Sequence, residues 1–290
     1  MDPIVLAVIA AIAATLIYSW WKQLSFSILV SVACIFTFIA MYIPDASTPG
    51  LVMDELAFMP DDLTDPGRLY TILTSMYTHG SMTHIFFNLL GLLLIGMVFE
   101  QRVGSRPYIL IYLISGLAGT MTFAALNWNN PFIGVVGASG AISGVLGAFA
   151  RLYPNERMSM FILFIPMPPM PIWMIVIGFI GLQFLFAFGS TGIAWEAHLG
   201  GLLAGLAIAP LLVKIPLRKR VKRMISQSSL RKLAVTPELK NILKRIEEED
   251  LPDVRSAWIE QFLSKAKCPL CGSRLKATKD SVTCEKGHLI

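Results

Sequence analysis

The chain has 290 residues, of which 55% are hydrophobic and only 15% are charged. Soluble domains rarely carry so few charges, and here the apolar residues form uninterrupted blocks of about 20 residues, the length of a helix that crosses a bilayer. The composition therefore excludes an ordinary soluble domain and predicts an all-α polytopic membrane protein.

Seven segments of the chain are predicted to span the membrane. The first lacks a basic leading region and an obvious cleavage site, so it is predicted to be a retained helix rather than a signal peptide. It precedes a core of six helices, of which the one that begins at Ser139 is short for a span and is predicted to lie among the others. The predicted spans are residues 3–21, 26–42, 83–99, 107–126, 139–152, 171–188 and 194–213.

The distribution of charge predicts the orientation of these spans. If the spans alternate, the basic residues of the loops fall on one side and the acidic loop at residues 45–68 falls on the other. Of the 24 lysines and arginines, 18 lie at or after Lys214. Because basic loops remain cytoplasmic, the N-terminus is predicted to lie outside and the C-terminus in the cytoplasm. Nucleic-acid binding is a less favoured explanation of the basic C-terminal region.

Three of the predicted helices run from outside to inside and carry polar side chains in their first turns. These side chains are His84 and Asn88, Ser139, and His198. Such groups are costly inside a membrane, so a functional site is the default hypothesis. At about 1.5 Å per residue, all four lie within roughly 10 Å of the outer ends of their helices. The sequence therefore predicts that they converge at one depth.

A hydroxyl and an imidazole at the same depth predict acyl-transfer chemistry, with Ser139 as the nucleophile and His198 as the general base. Ser139, at a helix start, offers its unpaired N–H to a developing oxyanion, and His84 and Asn88 on one helix face are further donors. Glu196 lies two residues from His198 and points to a different face, which predicts a dyad rather than a triad. Taken singly, each residue also has a structural explanation, such as a hydrogen bond between helices.

Each predicted catalytic residue is followed by two glycines that lie four residues apart. Gly140 and Gly144 follow Ser139, and Gly201 and Gly205 follow His198. Small residues at this spacing let two helix backbones approach closely, although the pattern is also common in inert membrane helices. Close packing of these helices is predicted to bring the hydroxyl within reach of the imidazole.

These residues fall in motifs that resemble those of the rhomboid family of intramembrane serine proteases, over roughly residues 26–213. The matching motifs are GASG at Gly137–Gly140, HxxGxxxG at His198, Gly201 and Gly205, HxxxxHxxxN at His79, His84 and Asn88, and ExxxG at Glu100 and Gly104.

The resemblance implies a catalytic dyad of Ser139 and His198, with an oxyanion hole formed by His84, Asn88 and Ser139. His79 and the motif glycines would support this site. The resemblance also implies that the substrates are membrane-anchored proteins cleaved in or near their spanning segments. The helix at residues 171–188 and the turn at 189–192 would gate access, and the chemistry would need no cofactor.

Two positions depart from the family pattern. The Trp-Arg pair of the first outer loop is absent, and Gly67-Arg68-Leu69-Tyr70 stands in that region. One turn after the nucleophile, where the family often has an aromatic residue stacked on the base, this chain has Ser143. The base is therefore expected to be held in another way.

The C-terminal region is predicted to be cytoplasmic. Its basic stretch at residues 215–235 is either a helix along the inner leaflet or a solvated linker. Two short amphipathic helices are predicted at residues 236–266, the first capped by Thr236. A zinc-ribbon-like module is predicted at residues 267–290. With the extra N-terminal helix at 1–22 and the six-helix core at 23–214, these segments form the predicted domain plan.

Three cysteines and a histidine near the C-terminus form two pairs with metal-ligand spacing. Cys268 and Cys271 form a CxxC pair, and Cys284 and His288 form a CxxxH pair 12 residues later. Three thiolates and one imidazole suit tetrahedral zinc, and a site closed by four protein ligands is structural rather than catalytic. The alternative is a set of ordinary cytosolic thiols. Metal is predicted to stabilise this short segment, and its partner could be a protein, nucleic acid or the protease itself.

The sequence thus predicts an intramembrane serine endopeptidase whose partners are the lipid bilayer and transmembrane protein substrates. The alternative is a non-proteolytic protein of the same architecture that binds transmembrane clients. A transporter is less favoured, because the polar groups cluster near the outer ends of the helices and no internal repeat is evident. The extra N-terminal helix is predicted to be a packing element, a substrate contact or an anchor.

Overall fold

The computed structural model describes residues 3–41, 51–130, 133–159, 161–162, 165–189, 192–213, 227–248, 252–277 and 282–288. The described residues are mostly helical, which confirms the predicted all-α fold class. They divide into two compact units, Met1–Lys214 and Ile215–Ile290, and each unit has its own hydrophobic core.

The first unit is a bundle of long apolar helices, and shorter helical segments lie within residues 51–77. In chain order its α-helices are α1 (Pro3–Lys22), α2 (Phe26–Ala40), α3 (Leu51–Leu56), α4 (Thr71–Thr74), α5 (Met82–Gly91), α6 (Met97–Val103), α7 (Ser105–Leu126), α8 (Ser139–Leu152), α9 (Ile172–Phe188) and α10 (Trp195–Leu212). A π-helical turn, Leu92–Gly96, joins α5 to α6. Between α8 and α9, β1 (Arg157–Met158) pairs with β4 (Met170–Pro171), and β2 (Phe161–Ile162) pairs with β3 (Ile165–Pro166).

Four helical segments of the described chain are long and apolar enough to cross a membrane, namely α1, the continuous α5–α6 segment, α7 and α10. The described chain also contains three shorter apolar helices, α2, α8 and α9. These seven segments correspond to the seven predicted spans, and α8 has the predicted bounds. Tyr42, the predicted end of the second span, lies outside the described residues. The chain is therefore an integral, multi-pass membrane protein.

Helix α8 packs against α7 and α10 at the centre of the bundle, with most of its side chains buried. Its glycines touch the backbone of α10: a Cβ on Gly201 would overlap the carbonyl oxygen of Gly140, and a Cβ on Gly205 would overlap that of Gly144. Any side chain at these positions would force the helices apart. The backbone contact holds the start of α8 beside the start of α10.

The extra helix α1 packs against α2 and α7 on one side of the bundle. Val5, Val8 and Ile12 form its buried stripe at helical spacing, and most of the remaining side chains are exposed. In the described residues α1 thus packs against the bundle, and its role as a packing element, a substrate contact or an anchor stays a prediction.

The loop predicted at residues 45–68 is more ordered than expected in its described part. It contains α3 and a 3-10 helix, Pro60–Thr64, that begins with a proline. Short helices of this kind were not predicted, because five or six residues give too little periodicity to identify them.

Arg68 anchors the described part of this loop. Its Nε donates to Oδ1 of Asp62 at 3.0 Å, and its Nη2 donates to the carbonyl oxygen of Asp54 at 2.9 Å. Glu55 lies 3.5 Å from the guanidinium and accepts a 2.9 Å hydrogen bond from the hydroxyl of Tyr70. The guanidinium group of Arg68 therefore links α3 and the 3-10 helix to the residues just before α4.

The buried carboxylate of Glu100 joins two helix starts. It accepts hydrogen bonds from the backbone N–H groups of Phe26 and Ser27 at 2.6 and 2.9 Å, at the start of α2. It also accepts from the hydroxyl of Ser105, at the start of α7, at 2.7 Å. A negative group near helix N-termini is stabilising. Gly104 has φ +84°, a conformation that lets the chain turn between α6 and α7.

In its described residues, the second unit packs three helices and a β-hairpin around one apolar core. Its helices are α11 (Gln227–Leu233), α12 (Pro237–Glu248) and α13 (Pro252–Lys265), and its hairpin pairs β5 (Leu275–Ala277) with β6 (Val282–Cys284). The amphipathic helices and the ribbon, predicted as separate segments, bury side chains in the same core, including Ile246, Phe262 and Val282. Thr236 caps α12 by accepting from the N–H of Leu239 at 3.2 Å. Of the basic stretch predicted at residues 215–235, residues 215–226 lie outside the described residues, and α11 in the rest buries Leu230 and Leu233 in this core.

The glycine contact between α8 and α10 predicts a large effect of a small substitution. Gly205→Val places a side chain on the carbonyl oxygen of Gly144 and is expected to destabilise the protein by about 1–3 kcal/mol. The thermal unfolding temperature of the purified protein in detergent measures this loss.

Gly178→Ala is the matched control, because nothing lies within 4 Å of a Cβ at that position on α9. It is expected to unfold at the wild-type temperature or slightly above it, since alanine has a higher helix propensity than glycine. Wild-type thermal stability of Gly205→Val would contradict the backbone contact.

Candidate active site

Ser139 is the first residue of α8, where the chain enters the helix through a sharp turn. Gly137 in this turn has φ +117°, which favours glycine. A Cβ on Gly137 would also lie 2.5 Å from Nε2 of His84. The first backbone hydrogen bond of the helix runs from the N–H of Ile142 to the carbonyl oxygen of Ala138, at 2.9 Å. The N–H of Ser139 therefore precedes the helical ladder and stays open to a ligand.

His198 lies in the first turn of α10, and its ring meets the nucleophile predicted on α8. Its Nε2 atom is 2.7 Å from Oγ of Ser139, the distance of a short hydrogen bond. The structure thus brings together two residues that lie 59 positions apart in the chain.

Helix α9 contacts the other side of the same ring. Oε1 of Gln183 is 2.7 Å from Nδ1 of His198, and only 1% of the Gln183 side chain is exposed. Phe179, one turn earlier on α9, lies with its ring centroid 6.1 Å from that of His198. Both residues were missed in the sequence analysis. A single amide within an otherwise apolar helix was the available signal, because intramembrane polar groups are rarely without a role.

The two predicted side-chain oxyanion donors differ in position. The ring of His84 lies against Gly137, beside the start of α8, and its backbone N–H is capped by Oγ of Ser81 at 3.1 Å. The side-chain amide of Asn88 donates to the carbonyl oxygen of His84 at 2.9 Å. Among the described residues, Oδ1 of Asn88 is buried without a partner. The geometry therefore favours His84 over Asn88 as a neighbour of the reacting oxygen.

His79 contacts the site through His84. It is fully buried, its Nδ1 lies 3.2 Å from the carbonyl oxygen of Tyr77, and its ring centroid is 5.1 Å from that of His84 in an edge-to-face arrangement. Its ring thus limits the positions open to the His84 ring.

A small cavity of about 20 Å³ lies beside Ser139. Ser75 and Thr120 supply polar groups to its wall, and Gly140 and Ala197 line it from α8 and α10. A polar cavity of this size holds about one water molecule. Water can therefore be held next to the hydroxyl inside the bundle.

Residues 66–215, just over half of the chain, match the Rhomboid domain family. The chain belongs to the rhomboid family. This match covers α4 to α10 and contains all the residues described above around Ser139 and His198.

Individual rhomboid relatives show the same likeness. The chain is 30% identical over 201 residues, 69% of its length, to Rhomboid protease GluP of Bacillus subtilis. It is 30% identical over 56% of its length to Rhomboid-type serine protease 2 of Emericella nidulans, and 32% identical over 35% of its length to Inactive RHOMBOID-like protein 8 of Arabidopsis thaliana. The matches cover 37%, 31% and 30% of these relatives, so the chain spans about a third of their length.

The rhomboid position that often carries an aromatic residue is filled differently here. Ser143 is buried, and its hydroxyl donates to the carbonyl oxygen of Ser139, one turn earlier, at 2.7 Å. The aromatic ring beside His198 comes instead from Phe179 on α9. In this chain the aromatic contact to the imidazole is therefore made from α9 and not from the helix that carries Ser139.

The second unit contains a separate cluster that can hold a metal ion. The four ligand atoms of Cys268, Cys271, Cys284 and His288 lie within 4.8 Å of one another. The two thiol sulfurs of Cys271 and Cys284 are 3.7 Å apart, and Nδ1 of His288 is 3.4 Å from Sγ of Cys284 and 3.8 Å from Sγ of Cys268. Tetrahedral zinc with bonds of about 2.0–2.3 Å separates its ligands by roughly 3.5–3.8 Å. The cluster fits that geometry.

Backbone and side-chain groups around the cluster favour the thiolate forms of Cys271 and Cys284. Gly272, directly after Cys271, adopts φ +70°, and Gly287, between Cys284 and His288, adopts φ +84°. The N–H of His288 donates to Sγ of Cys284 at 3.3 Å. The hydroxyl of Ser273, 2.9 Å from Sγ of Cys271, lowers the pKa of that thiol to about 7. Metal binding requires deprotonated cysteines, so these contacts prepare the site.

Proposed function

We propose that this rhomboid is an intramembrane serine endopeptidase that uses Ser139 as its nucleophile and His198 as its general base. The observation that carries the proposal is the 2.7 Å contact between Oγ of Ser139 and Nε2 of His198, next to an open helix start. The relatives named as proteases support the same chemistry. Its substrates would be membrane-anchored proteins cleaved in or near their spanning segments.

The reaction follows from this geometry in two halves. The proton of the Ser139 hydroxyl passes to Nε2 of His198 as Oγ bonds to the carbonyl carbon of the scissile peptide. The imidazolium then protonates the leaving nitrogen as the C–N bond breaks, which leaves an ester on Oγ. In the second half, water gives a proton to Nε2 as its oxygen attacks the ester carbon. The C–O bond to Ser139 then breaks, and Oγ regains its proton.

The negative oxygen that develops in each half needs preorganised donors. The backbone N–H of Ser139 stands at a helix N-terminus, where unpaired donors and the helix dipole favour negative charge. His84, which packs against Gly137, is the side chain that we assign as a second donor. We assign Asn88 a supporting role, because its amide holds the carbonyl oxygen of His84.

Loss of either member of the dyad is expected to abolish proteolysis. Ser139→Ala or His198→Ala should lower cleavage of a single-span reporter by roughly 10⁴-fold or more, because the two groups act as a unit. Cleavage is measured with purified protein in proteoliposomes, and labelling by a fluorophosphonate should disappear in Ser139→Ala.

The matched control is Ser31→Ala, which removes a hydroxyl that bonds to its own helix at the carbonyl oxygen of Ser27. Its cleavage rate should equal that of the wild type. Undiminished cleavage by Ser139→Ala or His198→Ala would refute the dyad. A wild-type protein that neither cleaves nor reacts with fluorophosphonate would favour a binding role for transmembrane clients.

We also propose that the N-terminus lies outside and the C-terminal unit in the cytoplasm. The support comes from the basic loops on one side of the bundle and the acidic outer segment on the other. A membrane-impermeant thiol reagent should label Asp65→Cys in intact cells and should label Lys240→Cys only after permeabilisation. Both positions are exposed, so the reverse pattern of labelling would invert the topology.

The cysteine cluster of the second unit is proposed to be a structural zinc site. Cys268, Cys271, Cys284 and His288 would close the coordination, which leaves no position for a reacting ligand. The bound ion would stabilise the hairpin, whose share of the apolar core is small.

Metal analysis of the full-length protein tests this proposal. One zinc ion per chain is expected in the wild type, and Cys271→Ser should lose it together with the thermal transition of the second unit, because only three ligands remain. Cys34→Ser is the control, since Cys34 is a buried thiol of the first unit, and it should retain the metal. A wild-type protein that folds with no bound metal would exclude a zinc site.

A further inference from the structure

The way in which His198 is held carries an inference that rests on the proposed dyad and extends it. A general base needs a fixed ring orientation and an unprotonated Nε2. Glu196 cannot provide either, because it is turned toward Asn127, whose amide lies 3.5 Å from Oε1 of Glu196. The groups that touch the rest of the imidazole come from α9.

Gln183 determines which ring nitrogen carries the proton. Its Oε1 atom is only an acceptor, so the 2.7 Å contact with Nδ1 of His198 requires the proton on Nδ1. The other nitrogen, Nε2, is then free to accept from the hydroxyl of Ser139 at 2.7 Å. The same contact persists when the ring becomes an imidazolium, because Nδ1 remains a donor in both states.

The chemistry of an amide suits this place. A carboxylate in a dry helix interface carries a large desolvation cost, whereas a neutral amide accepts the same hydrogen bond without a buried charge. Gln183 is 1% exposed, although its neighbours Leu182 and Phe184 are 45% and 64% exposed. The amide therefore points inward from a helix whose adjacent side chains face outward.

Phe179 and Gln183 act on the ring as a pair. They are four residues apart, so they lie on one face of α9. Phe179 lies at 6.1 Å from the imidazole centroid with an interplanar angle of 41°, and Gln183 bonds to its edge. One contact limits tilt of the ring and the other limits its rotation.

We propose that Gln183 is the positioning residue of the catalytic base. Its acceptor on Nδ1 holds the ring of His198 with Nε2 directed at the hydroxyl of Ser139. Loss of this acceptor leaves the ring free to turn away from Ser139.

The test compares variants of Gln183 in the full-length protein, with kcat and KM for a single-span reporter measured across pH. Gln183→Met keeps the length of the side chain and removes the acceptor. It should lower kcat by roughly tenfold to hundredfold and leave KM within about twofold, because the lost contact acts on proton transfer. Leu182→Met, on the exposed face of the same helix turn, should behave as the wild type.

A second variant separates positioning from packing. Gln183→Glu restores an acceptor and adds a negative charge that stabilises the imidazolium. It should recover most of kcat and move the acid limb of the pH profile upward by roughly one unit. A residue that only fills space would leave the pH profile unchanged in both variants.

The outcomes distinguish this inference from the proposed function. If the wild type cleaves the reporter and Gln183→Met has wild-type kcat and pH profile, the positioning role is wrong and the dyad stands. If Gln183→Met fails to fold, as judged by its thermal transition, a Gln183→Glu profile that coincides with the wild type overturns the inference. A wild type without cleavage or fluorophosphonate labelling overturns the proposed function, and this inference with it.

Discussion

The contact between the backbones of α8 and α10 is the constraint on which the site depends. Gly140 and Gly144 meet Gly201 and Gly205 with no side chain between them. Apolar side chains gain little by leaving lipid for a helix interface, so close van der Waals packing of small residues has to supply much of the association. A nucleophile at one helix start and a base at another can form a hydrogen bond only when the backbones approach in this way.

Several buried polar groups of the first unit are satisfied by a neighbour at a helix end or on another helix. Glu100 accepts from the starts of α2 and α7, and Arg68 joins two carboxylates and one backbone carbonyl of the segment at residues 51–68. In the site, the imidazole of His198 lies between Ser139 and Gln183. An unpaired polar group costs free energy in a low-dielectric interior, so these partners explain how the bundle tolerates them. The same partners fix the groups in position for chemistry.

The two units differ in what stabilises them. The first buries an extended apolar core between long helices and exposes apolar side chains such as Phe184 and Leu185 on the surface of α9, as expected for contact with lipid. The second has a small core between amphipathic helices and a short hairpin, with the cysteine cluster beside it. A segment of this size gains much of its stability from a metal ion if one is bound.

The sequence by itself determined the membrane class, the positions of the apolar helices, the motifs that contain Ser139 and His198, and the spacing of the cysteine cluster. Those features follow from local hydrophobicity and from short motifs, each of which lies within one helix or one turn. Gln183 and the carboxylates around Arg68 were decided only by the tertiary structure. A lone amide in an apolar helix does not reveal which partner it meets, because that partner lies 15 residues away on a second helix. Helix packing, and not local sequence, sets which side chains face each other across an interface.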